Sequence, residues 1–288
     1  MAVAAALLAL ILSLLCGTIQ NLARSWLDGP MRLSIAAAAL ASLFCAAAVW
    51  YHALSWPLAA MMFGYVLAPI LLVAAKPRDG TARILDLLAI LALWLPLEFA
   101  AGAVLVPRPV QGVLHAIAYG IAVTLALLVF LVWQRFDGMK YNLPQRLSDL
   151  GNVAAGFLCA AVILIPIGLA VGFLSPAHAP RMSLGTAAIR AALIFAGTAL
   201  PEEILFRSLI QNWLTRRLGG SNSTIALSAL VFGLAHLNNA PGPLPNWRYA
   251  IVATLAGFLF GKVFQRSSSV LASALVHAAV NTVKHLFF

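Results

Sequence analysis

Apolar stretches about 20 residues long recur along the whole chain and constrain its fold more than any other feature. A membrane-spanning helix needs about 20 consecutive apolar residues, whereas a membrane β-barrel is built from short segments of alternating hydrophobicity. The stretches here are continuous, so they predict an all-α, polytopic transmembrane helical bundle of about 8–10 membrane helices. They lie near residues 2–20, 33–53, 57–75, 85–106, 112–134, 150–174, 187–214, 224–238, 249–265 and 268–287.

Charged residues support this fold class because they are few and lie between the apolar stretches. Only 9% of the 288 residues are charged, against roughly 25% in a typical soluble domain. The net charge of +10 forms no single patch, so we expect the lipid bilayer as a partner and no nucleic acid. Loops after odd-numbered stretches carry more Lys and Arg, which predicts that they are cytoplasmic and that both chain ends lie on the other side.

Three charged side chains interrupt the apolar run LPEEILFR, residues 200–207. A carboxylate inside a membrane helix costs a few kcal/mol and usually faces a cavity or a partner. Glu203 and Arg207 are four residues apart on one helix face, which favours an ion pair. Glu202 points about 100° away from Glu203 and is available for another task. Pro201 is expected to kink the helix.

Two more stretches carry polar residues at helical spacing. STIALSALVFGLAHLNN places Phe232 and His236 four apart, and SVLASALVHAAVNTVKHLFF places His277 and Asn281 four apart. Taken singly, a histidine in an apolar helix is more often a hydrogen-bonded core residue than a functional one. Helix rise puts Glu202, His236 and His277 at a similar depth, roughly 14–18 Å from the cytoplasmic ends of their helices. We therefore expect these three clusters to meet.

The residue types in these clusters suit hydrolysis of an amide bond. A carboxylate near a histidine can deprotonate a water and direct it at a carbonyl. A second histidine with an asparagine can donate hydrogen bonds to the oxyanion that forms. The candidate catalytic residues are Glu202, His236, His277 and Asn281. The candidate supporting residues are Glu203, Arg207 and Phe232.

A metal is an alternative that the sequence leaves open. The chain has no HExxH motif, so a zincin is unsupported, and we expect no cofactor. If the protein were metal-dependent, its ligands would be Glu203, His236 and His277. The cation Arg207 next to Glu203 disfavours a second cation there.

These residues carry a family resemblance. PEEILFR, FGLAH and HAAVN match the EExxxR, FxxxH and HxxxN motifs, in order, of the CAAX-protease and bacteriocin-processing family. The chain resembles these intramembrane proteases, which are similar to the Ras-converting enzyme, over about residues 187–288. The resemblance implies that Glu202 and His236 activate the water and that His277 and Asn281 form the oxyanion hole. It also implies a glutamic-type mechanism, although the family was long labelled metalloprotease.

The resulting hypothesis is an intramembrane endopeptidase that cuts near the C-terminal part of a peptide or membrane-associated protein. Residues 187–288 would form its catalytic helical core, and residues 1–186 would be N-terminal transmembrane helices of uncertain role. The Ala/Leu/Arg-rich composition favours a bacterial inner membrane. Two alternatives remain: a proton-coupled secondary transporter, because buried Glu, His and Arg serve that purpose too, and a non-catalytic membrane scaffold or immunity protein.

Overall fold

The described part of the chain is helical and falls into two units, Met1–Asp137 and Gly138–Phe288. A computed structural model describes residues 2–75, 77, 81, 83–179, 182–239 and 243–288, and these contain no strand. The predicted orientation across the membrane rests in part on three basic residues that lie outside the described residues: Lys76, Arg78 and Arg181. That orientation stays a prediction.

The first unit contains six described helices. α3 packs on α4, α4 on α5, and α6 against α1, α3 and α5. The last turns of α6, Leu127–Trp133, are π-helical. The helices are α1 (Ala2–Ser13), α2 (Gly17–Trp26), α3 (Pro30–Trp50), α4 (Trp56–Ala74), α5 (Ile84–Glu98) and α6 (Arg108–Trp133).

The predicted first membrane helix, residues 2–20, is a bent pair. α1 and α2 meet at 104° across a break at residues 14–16. The buried side chain of Gln20 donates to the carbonyl of Leu14 at 2.8 Å, so it satisfies a backbone group that the break frees. Because α2 also carries Asn21 and Arg24, its polar content opposes a straight apolar span.

An apolar cavity of about 750 Å³ lies among α3, α4, α5 and α6. Besides His115, its polar side chains are Tyr65 and Gln111, which are bonded to backbone carbonyls. Tyr65 donates its hydroxyl to the Leu93 carbonyl at 2.6 Å, and Gln111 donates to the carbonyls of Ala103 and Val106 at 2.9 Å each. The cavity wall therefore offers mainly hydrocarbon.

The second unit contains five described helices. α9 packs along α10, and α7 packs against α10 and α11. α8 packs against α11, and α10 also packs against α11. The helices are α7 (Ser148–Ala170), α8 (Leu184–Leu218), α9 (Asn222–Leu234), α10 (Trp247–Arg266) and α11 (Val270–Phe287).

The turn between α10 and α11 is held by the loop that precedes α7. Lys140 donates its ammonium to the carbonyls of Phe264 at 2.8 Å, Gln265 at 3.1 Å and Ser267 at 2.8 Å. It thereby satisfies carbonyls at the C-terminal end of α10 that lack helical partners. Asp149 accepts hydrogen bonds from the backbone N–H and the hydroxyl of Ser268. These contacts fix where α11 begins.

Glycine allows α9 and α10 to approach closely. A methyl group added at Gly233 would lie 2.7 Å from the backbone oxygen of Ala250, and one at Gly257 would lie 3.2 Å from Cα of Ala229. The short distance between the two helices places the end of α9 directly against α10.

The chain is a multi-pass membrane protein. Seven described helices are long and apolar enough to span a bilayer, or up to eight if the bent pair α1–α2 counts as one. Each of the ten predicted apolar stretches has a helical counterpart, but α5 has 15 residues and α9 has 13, fewer than the roughly 20 of a full span. By contacts the described chain divides at residue 137, and the assignment of a catalytic core to residues 187–288 stays a prediction.

Candidate active site

Two π-helical segments of α8 flank the paired glutamates. Residues Phe195–Ala199 and Ile204–Gln211 form wide turns on either side of a short α-helical segment, Leu200–Glu203. Pro201 lies between the two π-helical segments, inside one 35-residue helix. The predicted kink at Pro201 stays a prediction. π-Helical turns occur frequently at functional sites.

Glu203 is fully buried and holds two neighbours. Its Oε2 accepts a hydrogen bond from Nε of Arg207 at 3.1 Å, and both side chains are 0% exposed. The predicted ion pair is therefore present. Oε1 of Glu203 lies 3.1 Å from Nδ1 of His277, a contact that the sequence did not suggest. Glu203 thus links α8 to α11.

His277 lies between both glutamates. A carboxylate only accepts hydrogen bonds, so Nδ1 of His277 carries the proton that it donates to Glu203. Its Nε2 faces Glu202, 3.9 Å from Oε2. The ring of Phe260 stacks on the imidazole, with centroids 4.7 Å apart and an interplanar angle of 21°. The imidazole is thus held in orientation by a hydrogen bond and by stacking.

The predicted stretch 224–238 placed His236 inside a helix, but α9 ends at Leu234. His236 therefore lies in the turn that follows α9. Its backbone N–H turns back to Gly233 at 3.0 Å, which leaves the carbonyl of Phe232 without its helical donor. Nδ1 of His236 lies 2.7 Å from that carbonyl. Since a carbonyl only accepts, Nδ1 carries the proton, and Nε2 of the neutral ring presents a lone pair.

Phe232 is the shared packing surface of the site. Its ring lies 4.6 Å from the His236 ring and 5.8 Å from the His277 ring. The guanidinium of Arg207 lies 5.1 Å above it, a cation–π distance. The side chain is 2% exposed. Phe232 is therefore both core and support for the polar cluster.

One cavity brings three of the four candidate catalytic residues together. His236, His277 and Asn281 line a cavity of about 70 Å³, larger than the roughly 10–15 Å³ that a single water requires. Glu202 adjoins it through His277, and its side chain is 21% exposed. The distant motifs of α8, α9 and α11 thus meet around one space large enough for water.

Sequence reasoning missed several residues of this site. Tyr249 of α10 lies 4.6 Å from the His236 ring, edge to face, and Phe260 stacks on His277. These two aromatic residues share one face of α10 with Ala253 and Ala256, which also line the cavity. The i, i+4, i+7, i+11 spacing of this face was a signal in the sequence. Lys284 also lines the cavity.

Part of the cavity wall comes from α7 and the turn after it. The residues there are apolar: Phe157, Ala160, Ala161, Leu164, Ile165, Phe173 and Leu174. They precede the predicted core at residue 187. α7 therefore encloses the candidate site, a role that the sequence did not assign to it.

The side chains considered as metal ligands do not form a metal centre. Within the described ranges, no three His, Cys, Asp or Glu side chains are grouped so that they could hold a metal ion. Both oxygens of Glu203 are engaged, one by Arg207 and the other by His277. The set Glu203, His236 and His277 therefore does not fit a metal.

The C-terminal part of the chain is similar to a known protein family. Residues 184–283 match the family model described as type II CAAX prenyl endopeptidase Rce1-like. This match contains all the residues named above on α8, α9 and α10, and α11 through Asn281. No curated protein and no solved structure matches the chain.

Proposed function

Because residues 184–283 belong to the Rce1-like family of type II CAAX prenyl endopeptidases, we propose that the protein hydrolyses a peptide bond within the membrane. Its substrate is a peptide or membrane-associated protein, cut near its C-terminal part. One observation carries the proposal: His236, His277 and Asn281 line one cavity, and Glu202 lies beside it.

Glu202 is the proposed general base. Glu202 is partly exposed, whereas Glu203 is fully buried and is paired with Arg207. Glu202 takes a proton from a water in the cavity while the water oxygen attacks the substrate carbonyl carbon. The lone pair on Nε2 of His236 accepts a hydrogen bond from the same water and orients it. The proton on Glu202 then passes to the leaving amine.

His277 and Asn281 are the proposed oxyanion donors. Because Nδ1 of His277 donates to Glu203, its Nε2 can donate as well only when the ring is an imidazolium. In that form, Nε2–H of His277 and the side-chain amide of Asn281 donate to the developing oxyanion. Glu203 is a positioning residue that acts through Nδ1 of His277.

The proposed mechanism uses no metal, and Glu203 is already bonded to Arg207 and to His277. Chelators are therefore expected to leave activity unchanged. We place the protein in a bacterial inner membrane on the basis of its Ala-, Leu- and Arg-rich composition.

The test is a Glu202→Gln variant purified in detergent beside the native protein. Substrate peptides are first identified by comparing membrane peptides from cells that express either form. We expect Glu202→Gln to reduce turnover of these peptides by about 10²–10⁴-fold, the usual contribution of a general base, without changing the thermal midpoint. Glu98→Gln is the matched control, since Glu98 is also partly buried and accepts a hydrogen bond from Trp94 at 3.0 Å.

Unchanged turnover in Glu202→Gln would refute the assignment of the base. Proton-coupled uptake of a solute by proteoliposomes, with no cleavage of any peptide, would instead support a transporter. Loss of activity on dialysis against a chelator, restored by a divalent metal, would overturn the metal-free mechanism.

A further inference from the structure

Lys284 places a positive charge in the cavity that contains the histidines. It follows Asn281 by three residues on α11 and is half-buried. Its ammonium lies 4.3 Å from the centroid of the Phe173 ring and 4.8 Å from that of Tyr249. These two rings are themselves packed together, with centroids 4.8 Å apart. Lys284 is thus held over an aromatic pair at the cavity wall.

The donors of this ammonium have no acceptor within the part of the chain that the structure describes. No carboxylate, carbonyl or hydroxyl oxygen there accepts a hydrogen bond from the Lys284 ammonium, which lies over the two rings. Lys140, by contrast, donates to three carbonyls, and Lys262 donates to side-chain oxygens of Asn222 and Gln265.

An ammonium that has no acceptor among the described residues indicates a binding site for an anion. An ammonium carries three donors, and those of the half-buried Lys284 are open to a ligand or to solvent. A lysine in the last turn of a helix commonly reaches out to solvent and favours the helix dipole. Lys284 instead lies on rings that line the cavity, where a bound anion would receive its hydrogen bonds.

Lys284 is close enough to the candidate catalytic residues to contact the same substrate. Tyr249 touches both the His236 ring, at 4.6 Å, and the Lys284 ammonium, at 4.8 Å, so His236 and Lys284 are separated by no more than the sum of these distances. Along α11, His277 and Lys284 are separated by two turns on the same face, roughly 10 Å. Two to three residues of extended peptide cover such a distance.

We propose that Lys284 is a specificity residue that binds the α-carboxylate at the free C-terminus of the substrate peptide. This inference rests on the proposed function and adds the group by which that site selects its substrate. Phe173 and Tyr249 hold the ammonium in place, and the carboxylate supplies the missing acceptor in a charge-assisted hydrogen bond. The phosphate of an anionic lipid offers similar anionic oxygens and is the other source of such a ligand.

The experiment compares two peptides of one sequence, a free acid and a C-terminal amide, in vesicles of neutral lipid. We expect the native protein to cleave the acid with at least a tenfold higher kcat/KM, mainly through a lower KM. Lys284→Met should cleave both peptides with the low kcat/KM that the native protein shows for the amide. Lys284→Arg should keep the preference for the acid. Lys262→Met is the matched control and should behave like the native protein.

The same comparison is made by binding, so that it does not depend on turnover. In a Glu202→Gln background the acid should bind at least tenfold more tightly than the amide, and Lys284→Met should remove the difference. Equal binding of acid and amide, or a preference that survives in Lys284→Met, overturns the inference and leaves the proposed function intact. Absence of peptide cleavage by the native protein overturns the proposed function, and the acid-to-amide ratio is then judged by binding.

Vesicles that contain anionic lipid separate the two sources of the ligand. The proposal expects the acid preference to be the same in neutral and anionic vesicles. If acid and amide are treated equally, and anionic lipid stimulates the native protein but not Lys284→Met, then the anion is a lipid phosphate and the carboxylate assignment is wrong.

Discussion

The two units are built from similar apolar helices but enclose different cavities. The cavity of the first unit is about 750 Å³ and mainly apolar, and its polar side chains Tyr65 and Gln111 are bonded to backbone carbonyls. The cavity of the second unit is about 70 Å³, and two histidines, an asparagine and a lysine line it. Tyr65 and Gln111 bond to backbone in the first unit, whereas Glu203, Arg207 and His277 bond to one another beside the small cavity of the second unit, an arrangement that suits chemistry.

The strongest test of this difference is to neutralise one buried acid in each unit. Glu203→Gln leaves Arg207 buried without a counter-charge, so we expect a loss of about 3–5 kcal/mol in the free energy of unfolding. Glu98→Gln keeps an oxygen for Trp94 and should cost less than about 1 kcal/mol. Reversible unfolding in mixed detergent micelles measures both. Equal losses would mean that the two units use their acids alike.

Adding a methyl group to one glycine in each unit gives the next largest expected effect. Gly233→Ala places Cβ 2.7 Å from the Ala250 carbonyl oxygen and should destabilise by about 1–3 kcal/mol. It should also lower turnover, because His236 follows directly. Gly64→Ala in α4 meets no heavy atom within 4 Å and should be neutral or stabilise by up to about 1 kcal/mol. A neutral Gly233→Ala would contradict the close packing of α9 on α10.

Filling each cavity separates catalysis from stability. Ala256 and Ala92 line the two cavities. Ala256→Leu occupies space that the substrate needs, so we expect kcat/KM to fall at least tenfold, about 1.4 kcal/mol. Ala92→Leu should leave kcat/KM unchanged. Both variants are assayed after size-exclusion chromatography has shown that they are folded, and a fall in Ala92→Leu would assign the larger cavity a part in turnover.

The smallest expected effect comes from one buried ring in each unit. Phe260 stacks on His277, and Phe130 packs edge to face on Phe136 with centroids 5.9 Å apart. Replacement of either by Leu should cost about 0.5–1.5 kcal/mol of aromatic contact. Only Phe260→Leu should also lower turnover, by a few-fold, because the His277 ring loses its stacking partner. A matching fall in Phe130→Leu would mean that the rings act through stability alone.

The sequence predicted the helices and the meeting of the motifs because both follow from local patterns. A long apolar stretch identifies a membrane helix regardless of what the helix packs against. A spacing of four residues places Glu203 and Arg207 on one helix face. The ion pair and the shared cavity of His236, His277 and Asn281 agree with these patterns. Their catalytic roles stay proposals.

Other features depend on contacts between distant residues that hydropathy does not record. The bend between α1 and α2 depends on Gln20 reaching the Leu14 carbonyl. The contact of His277 with Glu203 depends on the relative rotation of α8 and α11. Tyr249 and Lys284 looked like ordinary members of apolar helices, and their importance appears only when α7, α10 and α11 enclose the cavity.

The π-helical turns of α8 have a consequence for how this region tolerates change in length. Each residue of an α-helix advances the chain by about 100° around the axis, and a π turn accommodates one residue more than an α turn. Removal of a single residue within Ile204–Gln211 would be absorbed by a change from π to α winding, so Glu203 would keep nearly the same angular phase relative to the rest of α8. Removal of a residue from an α-helical part of α8 is not absorbed in this way and would rotate one side of the helix against the other by about 100°.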